Sequence, residues 1–228
     1  MPPIVSVRGV TRTYNTTGIP VQALAGIDLD VEKGEFTALM GPSGSGKTTL
    51  LNVIGGLDAP TSGSVQVDGQ DLGAMSGDEL SSLRLERIGF VFQAYNLIPV
   101  LTAYENAEFV LLMRGVSAEE RRRRVTGVLA EVGLETMAHR RPNELSGGQQ
   151  QRVAVARAIV ADPALVLADE PTANLDSRTG VELVALMRRL NEEHGVTFIF
   201  ATHDPKVLDA ARRVVELQDG RIARDERR

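Results

Sequence analysis

Gly41-Pro-Ser-Gly-Ser-Gly46-Lys47-Thr48 follows the spacing G-x-x-x-x-G-K-[ST]. Glycines at these intervals let a backbone wrap closely, so that successive N–H groups can aim at one phosphate group. A helix beginning at Lys47 adds its positive dipole end to the same point. Lys47 can bridge a β- and a γ-phosphate, and the Thr48 hydroxyl can ligate Mg²⁺. The candidate phosphate contacts are Gly41, Ser43, Gly44, Ser45, Gly46, Lys47, Thr48 and Thr49. A glycine-rich turn that merely caps a helix would read the same without its context. Here the apolar run Glu35-Phe-Thr-Ala-Leu-Met40 precedes it and a helical pattern from Lys47 to Leu57 follows, as phosphate binding requires.

A second group lies at Leu165-Val-Leu-Ala-Asp169-Glu170, an apolar strand running into two acids. Neighbouring strand residues point in opposite directions, so the two carboxylates can serve different tasks. Asp169 would face Mg²⁺, and Glu170 would polarise an attacking water. An acidic turn before Pro171 is the plain alternative; beside a phosphate loop the catalytic reading is preferred, because ligands bind at the ends of parallel strands.

Leu145-Ser146-Gly147-Gly148-Gln149 opens another helix. Ser146 suits an N-cap, and two glycines leave the helix entrance open to an anion. No lysine or metal ligand lies within this segment. It could add contacts to a phosphate held elsewhere, but could hardly capture a nucleotide alone. In isolation Ser-Gly-Gly is also an ordinary helix cap.

The elements that must carry these groups follow from hydrophobic period. Alternating strands are expected at 4–8, 25–31 and 64–68, and buried apolar strands at 35–40, 88–92, 164–168, 196–200 and 214–218. Helices are expected at 77–87, 146–161 and 177–194. From about Thr102 to Leu134 the pattern is helical only, which marks a helical lobe inserted at about 94–145. The fold class expected is α/β: a P-loop NTPase (RecA-like) core with a mainly parallel sheet, an N-terminal antiparallel β lobe and that inserted lobe, all one nucleotide-binding domain over 1–228.

Composition narrows the function classes. The 228 residues include 43% hydrophobic and 24% charged side chains, ordinary globular usage, and disorder is expected only at the Arg/Glu-rich last five. With no cysteine, disulfides and thiolate chemistry are excluded. The net charge of −5 gives no bulk attraction to nucleic acid or anionic lipid. The start lacks a secretory pattern, and the richest apolar run, Val153 to Ala161, is broken by Arg157. Direct membrane insertion is therefore not expected, and any membrane connection would pass through a partner. Arg121 to Arg124 follow Glu119 and Glu120, so Glu119–Arg123 and Glu120–Arg124 read as i,i+4 pairs on a solvated face.

In this order the motifs resemble the nucleotide-binding subunit of ABC transporters, with Leu145 to Gln149 matching that family's signature. Val91-Phe-Gln-Ala-Tyr-Asn-Leu-Ile-Pro99, Thr102-Ala-Tyr-Glu-Asn106, Gly148-Gln-Gln-Gln-Arg-Val-Ala154 and Ala168-Asp-Glu-Pro-Thr172 are similar to the lipoprotein-releasing and macrolide-efflux subgroup; Ala173 departs from its usual glycine. The resemblance implies an ATPase using ATP and Mg²⁺. Tyr14 would stack on adenine, although a strand-end tyrosine packed on the β lobe is the alternative. Gln93 would contact metal or water, Asp176 would reach a twin subunit, and His203 would contact the γ-phosphate. Ser146 to Gln149 would close over the ATP of a twin chain in a head-to-tail homodimer. An integral membrane permease would be the second partner, with the chain held at the cytoplasmic face of the membrane. A soluble relative acting on DNA or ribosomes is the competing reading; such relatives usually carry coiled-coil insertions or two cassettes, and this sequence has neither.

Overall fold

The computed structural model describes residues 2–15 and 18–228, so Met1, Thr16 and Thr17 lie outside it. Six strands form one sheet: β3 (Phe36–Met40), β6 (Ile88–Phe92), β7 (Leu165–Asp169), β8 (Thr197–Ala201), β9 (Arg213–Gln218) and β10 (Arg221–Arg227). Their spatial order is β10-β9-β3-β8-β7-β6, parallel except for the β9–β10 hairpin. A second, antiparallel sheet orders β1 (Val5–Asn15), β2 (Pro20–Val31), β4 (Ser62–Val67) and β5 (Gln70–Asp71) as β2-β1-β4-β5.

The parallel strands are apolar throughout because both faces are covered. Phe36, Ala38, Val166, Ala168, Phe198 and Phe200 pack into one core, against α5 (Gly147–Ile159) and α6 (Ser177–His194). Leu39, Leu165, Leu167, Ile199 and Ala201 alternate with them and pack into the other, with α1 (Lys47–Ile54) and the antiparallel sheet. The period-2 pleat thus sends each strand's side chains into two separate cores.

Between β6 and β7 no strand occurs among the described residues. That stretch holds α3 (Ala103–Met113) and α4 (Ala118–Glu131), whose starts are capped by Thr102 and Ser117. Buried Asn106 organises the entry: its Oδ1 accepts from Ile98 N–H at 2.7 Å and its amide donates to Ile98, Leu101 and Thr102 carbonyls. Arg114 ties the lobe to the core by donating to Ala161 O at 2.6 Å. No helix among the described residues is long and apolar enough to cross a membrane.

Several expectations are corrected. The last five residues are not disordered: Arg224 to Arg227 pair with β9. The reason is Arg213, 8% exposed, which needs the Asp225 carboxylate (2.6 Å) beside Glu35 (3.0 Å). β1 and β2 run longer than their alternation indicates, because register shifts between Val7 and Thr13 break the period of two. α1 stops at Ile54, where Gly56, in the left-handed region, turns the chain. Of the two expected i,i+4 pairs Glu120–Arg124 forms, but Arg123 bonds Glu120 instead of Glu119, and the two arginines hold the Glu120 carboxyl down at about 2; Arg121 bonds Glu108 of α3 at 2.8 Å.

Candidate active site

β3 delivers the chain at the carboxyl end of the parallel sheet, where Gly41 turns it. A Cβ at Gly41 would lie 2.2 Å from Leu217 O and 2.6 Å from Ser45 Oγ; one at Gly46 would lie 2.6 Å from Ala23 O. Both therefore have to be glycine. Ser43 and Gly44 form the exposed crest of this loop.

Helix capping marks α1 as different. α2 (Gly77–Arg87), α3, α4, α5, α6 and α7 (Pro205–Ala210) each have a Ser, Thr or Asp side chain accepting from first-turn N–H groups. α1 has Gly46 at that position and no side-chain cap. The N–H groups of its first turn, Lys47 to Thr49, lack intrahelical acceptors and stay available to an anion. Lys47, nearly buried, donates to Gly41 O (2.7 Å) and Pro42 O (3.0 Å). Ser45 Oγ is buried without a hydrogen-bond partner.

Two strands away, Asp169 ends β7, and its Oδ1 accepts from Thr48 Oγ1 at 3.1 Å. Burial raises its carboxyl above the usual range, helped by the Glu170 charge and opposed by the Thr48 hydrogen bond and Lys47. A hydroxyl beside a carboxylate is the hard-oxygen donor set of Mg²⁺, which takes one or two protein ligands plus phosphate and water. Gln93 follows Phe92, the register partner of Asp169, and its side chain is exposed at that end of the sheet.

Glu170 diverges from Asp169, but not by simple strand alternation. Its φ is +45°, in the left-handed region, and its N–H donates to Ala201 O at 2.8 Å. This conformation is costly for a non-glycine residue and is kept where surroundings enforce it. The side chain is then held by two donors: His203 Nδ1 to Oε1 at 2.6 Å, and Thr202 Oγ1 to Oε2 at 3.1 Å. Glu170 is largely covered (17% exposed), whereas His203 is 74% exposed.

The signature segment forms a separate group. Ser146 caps α5 and Gln149 completes the capping box. A Cβ on Gly148 would sit 2.3 Å from Thr179 Cγ2 of α6, and one on Gly147 would sit 2.8 Å from the Tyr95 hydroxyl. Asp176 caps α6, accepting from Arg178 N–H, Thr179 N–H and the Thr179 hydroxyl, contacts that hold its carboxyl below the usual range. Among the described residues no hydrogen bond joins this group to Lys47 or Asp169. Tyr14 also stands apart: its hydroxyl donates to Asp58 at 2.6 Å and the Arg12 guanidinium lies 4.5 Å over its ring.

Four residues that pattern reading passed over hold these loops. Gln151 of α5, fully buried, donates to Pro171 O (2.8 Å) and Phe92 O (3.3 Å). Arg157 donates to Tyr95 O (2.9 Å) and Asn96 O (2.5 Å), fixing two residues with positive φ. Asn174 Nδ2 donates to Gln93 O at 2.9 Å, and Thr202 supports Glu170. Gln151 had a readable signal: Val155 and Ala158 follow it at i+4 and i+7, so a polar residue occupies an apolar face.

The chain is similar to known proteins over most of its length. Residues 24–173 match the ABC transporter family. The chain is 50% identical over 224 residues to the lipoprotein-releasing system ATP-binding protein LolD of Anaeromyxobacter dehalogenans, covering 98% of this chain and 94% of that one. It is 48% identical to the macrolide export ATP-binding/permease protein MacB 1/2 of Paracoccus denitrificans, covering 99% of this chain but only 34% of that longer protein. The dimeric cassette MJ0796 of Methanocaldococcus jannaschii superposes with a TM-score of 0.90 at 46% identity, over 98% of each chain. The same cassette, solved in a post-hydrolysis state with ADP and Pi, also gives 0.90. The chain therefore belongs to the ABC transporter family, as an ATP-binding ABC ATPase subunit homologous to LolD and to the ATP-binding part of MacB.

Proposed function

We propose that this chain hydrolyses ATP as half of a head-to-tail homodimer and drives a separate integral membrane permease of the lipoprotein-release or macrolide-efflux type. The observation that carries the reading is the convergence of Lys47, the Thr48–Asp169 pair and the Glu170–His203 pair at one sheet end. The lysine-free helix start at Ser146 stands apart from them.

In this reading the uncapped first turn of α1 receives the β-phosphate, with Gly41 to Gly46 wrapped around it. Lys47 exchanges the Gly41 and Pro42 carbonyls for phosphate oxygens. Thr48 and Asp169, with Gln93 alongside, would hold Mg²⁺, whose charge would offset that of the bound phosphates. Glu170 orients the attacking water and accepts its proton. The water oxygen bonds to the γ-phosphorus as the bond from that phosphorus to the β–γ bridging oxygen breaks, the electron pair leaving with ADP and the γ-group departing as inorganic phosphate. His203, hinged at Nδ1 on Glu170, turns toward the γ-phosphate, and Tyr14 offers the free face of its ring to adenine. Ser146, Gly147, Gly148 and Gln149 close over the twin's ATP with Asp176 beside them, which accounts for a second anion site lacking its own lysine. Loss of the γ-phosphate contacts then releases the pair.

The permease attaches at the groove between the core and the helical lobe. A cavity of about 410 Å³ there is lined by Leu57, Leu85, Phe90, Phe92 and Val110, with Asn96 at its edge. Leu57 and Met113 are 49% and 59% exposed, as apolar residues covered by a partner would be in isolation. The chain would thus sit at the cytoplasmic face of the membrane through that partner. Purification with and without the membrane subunit encoded beside it tests the reading. Co-purification and a changed ATPase rate support it; a chain that neither binds the membrane protein nor responds to it refutes the transport role.

A further inference from the structure

We infer that Gln151 is a positioning residue through which closure of the signature helix on one ATP sets Gln93 and Glu170 over the other. The inference rests on the dimer reading above.

Gln151 lies on α5, two residues beyond the Ser146 to Gln149 cradle. Its carboxamide reaches away from that cradle into the core. Its Nε2 donates to Pro171 O, the carbonyl directly after Glu170, and to Phe92 O, the carbonyl directly before Gln93. One buried NH₂ group therefore holds both loops, those of Gln93 and of Glu170, at the end of the sheet. These two acceptors also fix the orientation of the amide, because a flipped group would set oxygen against oxygen.

The surrounding contacts make α5 and the two loops one body. Asn174, four residues beyond Glu170, donates to Gln93 O at 2.9 Å. Arg157, further along α5, holds Tyr95 and Asn96. The Tyr95 hydroxyl in turn lies against Gly147 at the cradle itself. A tilt of α5 cannot leave positions 93 and 170 unmoved.

Gln151 Oε1 is buried without a donor. Buried unsatisfied acceptors are uncommon in folded proteins and call for a reason. Its hydrogen bonding is incomplete in this arrangement of the loops, and a second arrangement that offers an N–H would complete it. That is the property expected of a contact shared between open and closed states. In the dimer, the α5 cradle touches the twin's nucleotide while Gln93 and Glu170 serve this chain's own. Gln151 is then a buried link between the two ATP sites.

The test compares Gln151→Met, which keeps length and loses both donors, with the parent chain. Steady-state ATPase kinetics are measured, along with ATP-driven dimerisation in a Glu170→Gln background and hydrogen exchange at 93–96 and 171–174. The expected result is a kcat lowered by about 10²-fold, as small misplacement of reacting groups produces. KM and dimerisation stay near parental values, and the two loops fail to gain protection on dimerisation. Parental kcat in a folded variant overturns the inference. So does a parallel fall of kcat and dimerisation, which marks a structural role only. If Gln151→Met does not fold, Gln151→Leu, which also lacks both donors and adds no buried charge, is judged by the same outcomes. A Glu170→Gln chain that stays monomeric with ATP is a separate result, and it removes the dimer reading together with the inference.

Discussion

His203 Nδ1 donates to Glu170 Oε1 at 2.6 Å, so the two residues assigned to the γ-phosphate and the attacking water hold each other in the nucleotide-free chain. Among the described residues the exposed histidine side chain has no other hydrogen bond, while Glu170 keeps a second donor in Thr202. Glu170 therefore retains its position when His203 turns away. His203→Ala is expected to lower kcat by about 10²-fold, the cost of one lost transition-state donor, with little change in ATP affinity. Single-turnover hydrolysis and equilibrium nucleotide binding separate the two effects.

Burial of Asp169 carries a stability cost when no ion is bound. Its carboxyl titrates above the ordinary value, so the folded chain binds its proton more tightly than the unfolded chain does. Stability from this group is present below the unfolded pKa and is lost as pH rises through the folded one. Asp169→Asn, which can still accept from Thr48, is expected to raise the melting temperature at pH 7 by about 2–4 °C. The gain should vanish below about pH 4, where the parent carboxyl is protonated. Thermal scans across pH check this, and the same variant should lose Mg²⁺-dependent turnover.

Gly148 is set by one methyl group. Its added Cβ would meet Thr179 Cγ2 at 2.3 Å, with the next atoms no nearer than 3.7 Å. Gly148→Ala should cost about 1–3 kcal/mol through overpacking and open the α5–α6 approach. Thr179→Ser removes that methyl while keeping the hydroxyl that donates to Asp176. The double variant should therefore recover most of the stability. Urea unfolding of the four chains measures the coupling directly.

Arg213 clamps the final strand by pairing with Asp225 and Glu35 while donating to Asp30 O at 2.6 Å. Arg213→Met leaves Asp225 without its ion-pair partner and Glu35 with Arg227 alone, and should cost about 3 kcal/mol. The Arg213 hydrogen bond holds the Asp225 carboxyl below its usual range, so its stabilising effect is present above the unfolded pKa and fades as pH falls through the folded one. The difference between parent and variant in urea midpoint should narrow below about pH 4.

The phosphate loop and the acidic strand end were legible because each is a contiguous run whose chemistry and neighbouring periods agree. Helices 77–87 and 177–194 and the strand 88–92 were read to the residue, since capping residues and period changes coincide there. What stayed hidden depends on partners far along the chain. The charged tail became a strand only because buried Arg213 needs Asp225. Tyr14 proved tied to Asp58, 44 residues away, and Gln151 to carbonyls 20 and 59 residues away. Single-sequence patterns carry no term for such pairings, and the positive φ of Glu170 is likewise imposed by its surroundings.

Sedimentation of Glu170→Gln with ATP and Mg²⁺ shows whether two copies of this chain share a nucleotide. The account predicts a dimer at micromolar concentration that dissociates when ADP replaces ATP. A variant that binds ATP yet sediments as a monomer throughout would contradict it.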